Sequence, residues 1–197
     1  MGLRVIVVGI PGVGKTSVVN GFLQLAEEQR KKALSVTYGS VMLEIARNEG
    51  FKGDRDMLRK LPLSVQKHLQ KRAAEKLVEM SGKYDALIID THAIIRAGKG
   101  LYLVGLPYSI LNTLKPDSIL VVVAEPEEIA RRRMSDTTRV RDSLSLDEIR
   151  KEVEMTISTA FTIGILTGAS IGIVENHEGR LGDASQYMFD IIFGGVS

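Results

Sequence analysis

A short apolar run, Leu3 to Val8 (LRVIVV), leads directly into Gly9-Ile10-Pro11-Gly12-Val13-Gly14-Lys15-Thr16-Ser17. The run lacks polar alternation, as expected of a strand covered on both faces. From Lys15 onward, Val18, Val19, Phe22, Leu25 and Ala26 recur at helical spacing and predict a helix packed back on that strand. The residues between match GxxxxGK[ST] at every required position. Glycines let so tight a turn aim several backbone N–H groups at one point, and the helix adds its positive end. A strand, an anion cradle and a helix in this order imply a nucleoside triphosphate, with Lys15 reaching its β- and γ-phosphates and Thr16 offering an oxygen to Mg²⁺.

The rest of the chain repeats the strand–helix rhythm. Strands are predicted at Leu34–Tyr38, Ala86–Ile89, Ser118–Ala124 and Ser170–Val174. Helices are predicted at Lys15–Lys31, Met42–Arg47, from Pro62 to about Met80, at Pro126–Arg133, from Leu146 onward, and at Asp183–Ile192. Residues 91–107, with Gly98, Gly100 and Gly105, read as a glycine-rich loop, and Asp54 reads as the cap of a short helix. Alternating elements with apolar strands make an α/β domain around a parallel sheet. No repeat or linker divides it, so residues 1–197 read as one domain.

Composition narrows the function. With 44% hydrophobic and 25% charged residues the chain is ordinary globular material, neither disordered nor fibrous. A net charge of +2 and no Trp argue against a nucleic-acid groove. Zero cysteines exclude a disulfide framework, a thiolate nucleophile and a cysteine metal site, and fit a reducing, cytoplasmic interior. The first strand begins at Leu3, so no signal peptide is expected before it. The 18 uncharged residues Ile157–Val174 approach membrane-spanning length, but their Ser, Thr and Gly content reads as a helix end, a turn at Thr167-Gly168-Ala169 and a strand.

Which triphosphate chemistry is indicated partly by what is missing. No Asn-Lys-x-Asp stretch is present for guanine, and Asp90 is followed by Thr91 and His92 rather than by a water-activating Glu. Both absences favour transfer to a bound acceptor over hydrolysis. Asp90, at the carboxyl end of a strand, is placed to face the ligand crevice and hold Mg²⁺ through water, or else to cap a loop. His92 is either a phosphate contact or a packed neutral ring. Five arginines, Arg131, Arg132, Arg133, Arg139 and Arg141, fall within eleven residues; they suit a loop closing over phosphates, and the plainer reading is a solvated charge run. Arg55 and Arg59, four apart in the long segment between Lys15 and Asp90, would share a helix face toward an acceptor or toward solvent. In Tyr38-Gly39-Ser40-Val41-Met42, Gly39 permits close backbone approach, Ser40 is a cap candidate, and Met42 is a core or ligand-wall residue.

Five segments in order, GIPGVGKT, YGSVMLEIA, DRDMLRKLP, IIDTHAIIRAGKGLYLVGLP and RRRMSDTTRVRD, resemble the archaeal-type adenylate kinase family, a branch of the P-loop nucleoside monophosphate kinases. The resemblance implies a three-layer α/β/α fold with a five-stranded parallel sheet of order 2-3-1-4-5. It implies the reaction ATP plus AMP to two ADP with Mg²⁺, an AMP-binding insert at 39–80 and a short lid at 135–143. On that basis ATP meets the loop residues Gly9 to Ser17 and Arg133, while AMP meets Tyr38, Gly39, Ser40, Met42, Arg55, Arg59, His92 and Arg96. Arg139 and Arg141 resemble lid arginines that embrace the moving phosphoryl group, and the helix near Ile149–Leu166 is the expected interface of a homotrimer. Where the wider family carries Asp-Gly-Phe-Pro-Arg, this chain has Asp90-Thr91-His92-Ala93-Ile94-Ile95-Arg96, which leaves His92 and Arg96 as rivals for that arginine's role. Another nucleoside monophosphate as acceptor, or an RNA-linked assembly factor with residual ATPase activity, are the alternatives.

Overall fold

The computed structural model describes residues 2–58, 60–98, 100–135 and 145–194. In chain order the elements are β1 (Leu3–Val8), α1 (Lys15–Glu28), β2 (Ala33–Thr37), α2 (Tyr38–Asn48), α3 (Arg55–Leu58), α4 (Leu63–Ser81), β3 (Ala86–Asp90), β4 (Ile94–Gly98) and β5 (Leu101–Val104). There follow α5 (Tyr108–Leu114), β6 (Ser118–Val123), α6 (Pro126–Ser135), α7 (Leu146–Thr167), β7 (Ser170–Glu175) and α8 (Leu181–Phe189), which ends in a π-helical turn at Asp190–Gly194.

Five strands pair in parallel in the order β2-β3-β1-β6-β7, the expected 2-3-1-4-5 once the strands outside this sheet are set aside. The apolar runs are explained by burial on both faces. Ile6, Val8, Leu87, Ile89, Ile119 and Val121 point to one side, into a core shared with Leu69, Leu77, Leu111 and Leu114 of α4 and α5. Val5, Val7, Ile88, Leu120 and Val122 point to the other, against Val18 and Phe22 of α1 and Met188 of α8. Helices therefore cover both faces in a three-layer α/β/α arrangement. Register levels the strand ends: Val7 lies opposite Asp90, and Asp90 opposite Thr37, so β1, β2 and β3 finish on one rim.

Several local expectations are corrected. Residues 91–107 are not a plain loop, since β4 and β5 form an antiparallel hairpin with Ile94 opposite Val104 and Arg96 opposite Tyr102. Apolar residues on both arms supply the β-forming character, and Gly100 takes φ +72 at the turn. Helix α2 begins at Tyr38, four residues before the expected Met42, so Ser40 lies inside its first turn and Thr37 holds the cap position without a side-chain cap bond. The Tyr38 ring is buried, and its hydroxyl donates to the Gln70 carbonyl at 2.6 Å, which ties α2 to α4. Asp54 does cap α3, accepting the Met57 N–H at 2.9 Å. The uncharged stretch divides as expected, with α7 ending at Gly168 (φ +75) before β7. Among the described residues no helix is long and apolar enough to cross a membrane.

Candidate active site

Above the common rim of β1, β2 and β3 lies a cleft of about 410 Å³. One wall is the phosphate loop: Ile10, Pro11, Gly12, Gly14, Lys15 and Thr16. Gly12 at φ +95 and Gly14 at φ +82 hold the left-handed conformations that fold the loop into an N–H-lined nest ahead of α1. The rest of the lining is Thr37, Arg55, Asp90, Thr91, His92 and Arg132.

The charges in this cleft are few and close. Lys15 is nearly buried, and its ammonium group contacts the Asp90 carboxylate. Burial, and then the positive Arg55 guanidinium, push the Lys15 pKa down to about 8. Asp90 pulls the other way by direct contact, but an ammonium group this shielded from water loses most of its solvation, and the net shift is downward. Arg55 lies so near Gly39 that a Cβ there would sit 2.8 Å from its Nε, and the guanidinium would have to move to admit one. The His92 ring lines the cleft with Nδ1 3.2 Å from the Gly9 carbonyl oxygen, and since a carbonyl only accepts, Nδ1 carries the proton.

Other expected site residues lie away from the cleft lining. Arg133 donates from Nε to the Pro11 carbonyl at 2.8 Å and approaches Glu152 at 3.7 Å, behind the loop. Arg96 reaches from β4 to α7, with contacts of 3.2 Å to Glu148 and 3.3 Å to Glu152. Tyr38 is committed to the core, Met42 packs against that core, and Ser40 is exposed on α2. Arg59, Arg139 and Arg141, with most of the expected lid, lie outside the described residues.

Sequence reasoning missed Thr37, Thr91, Arg132 and Asn176. Arg132 stood in the arginine run, but nothing in three adjacent arginines says which one lines the cleft. Asn176 follows the carboxyl end of β7, and the rule that singled out Asp90, that strand ends meet the crevice, would have found it. It is 5% exposed and donates from Nδ2 to the Val13 carbonyl at 2.7 Å.

Among the described residues no three His, Asp or Glu side chains gather to hold a metal by themselves. Mg²⁺ fits this site differently. The Thr16 hydroxyl and the Asp90 carboxylate are hard oxygen donors on one cleft, and Mg²⁺ takes few protein ligands beside water and phosphate oxygens.

A family model described as an AAA domain matches residues 8–150. The adenylate kinase of Methanocaldococcus jannaschii is 40% identical over 188 residues, which cover 95% of this chain and 97% of that protein. The adenylate kinase of Methanopyrus kandleri is 40% identical over 185 residues, covering 93% and 94%. Among solved structures, a shikimate kinase from Bacteroides thetaiotaomicron shares the fold, with TM-score 0.59 at 12% identity over 96% of this chain and 98% of that one. The phosphate loop, the strand-end carboxylate and 40% identity over nearly the full length agree: the chain belongs to the archaeal adenylate kinase family.

Proposed function

We propose that the chain converts ATP and AMP reversibly into two ADP by direct in-line phosphoryl transfer. One observation carries this reading: Lys15 with its N–H nest and Arg55 beside Gly39 line a single cleft. A triphosphate held on one wall and a monophosphate drawn to the other set a phosphate oxygen against the γ-phosphorus. The new P–O bond forms to the AMP phosphate as the bond to the bridging oxygen breaks, and ADP leaves with that electron pair.

Each residue role follows from charge and reach. The loop N–H groups and Lys15 hold the donor and meet charge that moves onto the β-phosphate. Arg55 and Arg59 draw the acceptor phosphate, and Arg139 and Arg141 close over the reacting group and exclude water. The acceptor phosphate, with a second pKa of about 6, is already ionised at neutral pH, so no general base is needed. Thr16 and Asp90 are the residues that would hold Mg²⁺, which when bound neutralises charge across the β- and γ-phosphates.

We place the protein in the cytoplasm as a homotrimer through α7, whose outer face exposes Phe161, Ile165 and Leu166. Steady-state transfer from ATP to AMP, CMP, UMP and GMP tests the acceptor, with AMP expected to dominate. Lys15→Met is expected to abolish most turnover while the fold persists; near-normal transfer in that variant would overturn the reading.

A further inference from the structure

The phosphate loop accepts side-chain hydrogen bonds from elsewhere in the chain at carbonyls 9, 11 and 13. Gly9 accepts from His92 Nδ1 at 3.2 Å and Pro11 from Arg133 Nε at 2.8 Å. Val13 accepts twice, from Asn176 Nδ2 at 2.7 Å and from an Arg132 guanidinium nitrogen at 3.2 Å. Every described peptide is trans. In a planar trans peptide, the C=O of one residue and the N–H of the next point in opposite directions. Arg133 and Asn176 lie outside the cleft lining, so the Pro11 and Val13 carbonyls that they hold turn the N–H groups of Gly12 and Gly14, which line the cleft, toward it. The intervening Ile10 carbonyl instead faces the Val13 N–H within the loop, at 3.4 Å.

The Val13 position is the most heavily built of the three. Asn176 is buried, its own N–H donates to Val123 at 2.8 Å, and its carbonyl accepts from Arg132 at 2.9 Å. Its side-chain nitrogen fills the space that a Cβ on Gly14 would occupy. Val13 is itself buried and absent from the cleft wall, whereas Gly12 and Gly14 on either side line it. We infer that Asn176 is a positioning residue for phosphate binding: by holding the Val13 carbonyl outward from the end of β7, it aims the Gly14 N–H at the donor phosphates. It acts through the backbone and contacts no substrate.

This inference rests on the loop being the donor phosphate site, and the test separates the two. The probe is inorganic tripolyphosphate, which carries the phosphates without base or sugar, titrated alongside ATP into the full chain. Asn176→Asp keeps the side-chain shape and removes the donor. Its expected effect is about three- to tenfold weaker binding of tripolyphosphate and of ATP, in the same ratio, with the KM for AMP unchanged. A second readout is the Gly14 backbone amide resonance, which is expected to shift less on tripolyphosphate binding in the variant than in the wild type. If Asn176→Asp does not fold, Asn176→Ala, which leaves Arg132 on the Val13 carbonyl, takes its place. A lower melting temperature with unchanged tripolyphosphate affinity would make Asn176 merely structural and overturn the inference. Weaker ATP binding alone would make it a base contact and overturn it equally. Failure of the wild type to bind tripolyphosphate would instead overturn the donor-site reading.

Discussion

Donor binding is expected to draw a proton onto Lys15 at alkaline pH, in an amount set by its surroundings. In the free protein the group's pKa stands at about 8, below the usual 10.5, because the side chain is largely buried and Arg55 adds positive charge. Triphosphate brings several negative charges to the ammonium group and restores its pKa toward or above the ordinary value. The sign follows: protonated Lys15 binds and neutral Lys15 does not, so proton uptake accompanies binding above pH 8 and affinity declines as pH rises. With a pKa of about 8, roughly three-quarters of Lys15 is neutral at pH 8.5 and about a tenth at pH 7. Binding at pH 8.5 should take up roughly 0.75 proton, and at pH 7 only about 0.1. Between pH 8 and 9.5 the Kd should rise roughly fifteenfold. Calorimetric titration of Mg-ATP at pH 8.5, in two buffers of different protonation enthalpy, reads the uptake directly. ATP is fully ionised there, so its own titration does not intrude. Uptake near zero, or equal uptake in Lys15→Met, would refute the reasoning.

Two further outcomes concern residues at the edges of the site. Arg96→Ala should lower the denaturation midpoint, because it strips a partner from Glu152, which is 6% exposed, while the KM for AMP stays within about twofold. A large rise in that KM at unchanged stability would put Arg96 at the acceptor instead. Ile165→Asp should convert a trimer to a monomer in sedimentation velocity, since Ile165 is 82% exposed on α7 and a charge there cannot enter an apolar interface. A wild-type chain that sediments as a monomer would refute the α7 assembly.

What could be read from the chain alone divides along a physical line. The five parallel strands were legible because burial on both faces demands unbroken apolar runs, and such runs are visible in one dimension. The phosphate loop was legible because all of its parts are contiguous. The β4–β5 hairpin was not, because Gly98, Gly100 and Gly105 look like loop, and the apolar arms pair only with each other, outside the main sheet. The destination of Arg96 was hidden for a different reason. Its partner Glu152 lies 56 residues away, and ion pairs of that span leave no local pattern.

The arginine run shows the same limit and its explanation. Arg131, Arg132 and Arg133 are adjacent on α6, and a helix turns about 100° per residue, so the three fan apart and cannot meet one phosphate together. Arg131 points outward to Glu178 at 2.7 Å, Arg132 reaches the Val13 carbonyl, and Arg133 reaches the Pro11 carbonyl. The loop turns its Pro11 and Val13 carbonyls, two residues apart, toward α6. A helix crossing behind it offers successive residues at different angles. Two neighbouring arginines therefore serve two loop positions two residues apart, and only Arg132 also faces the cleft. On this geometry Arg132 and Arg133 are first of all supports of the loop's backbone.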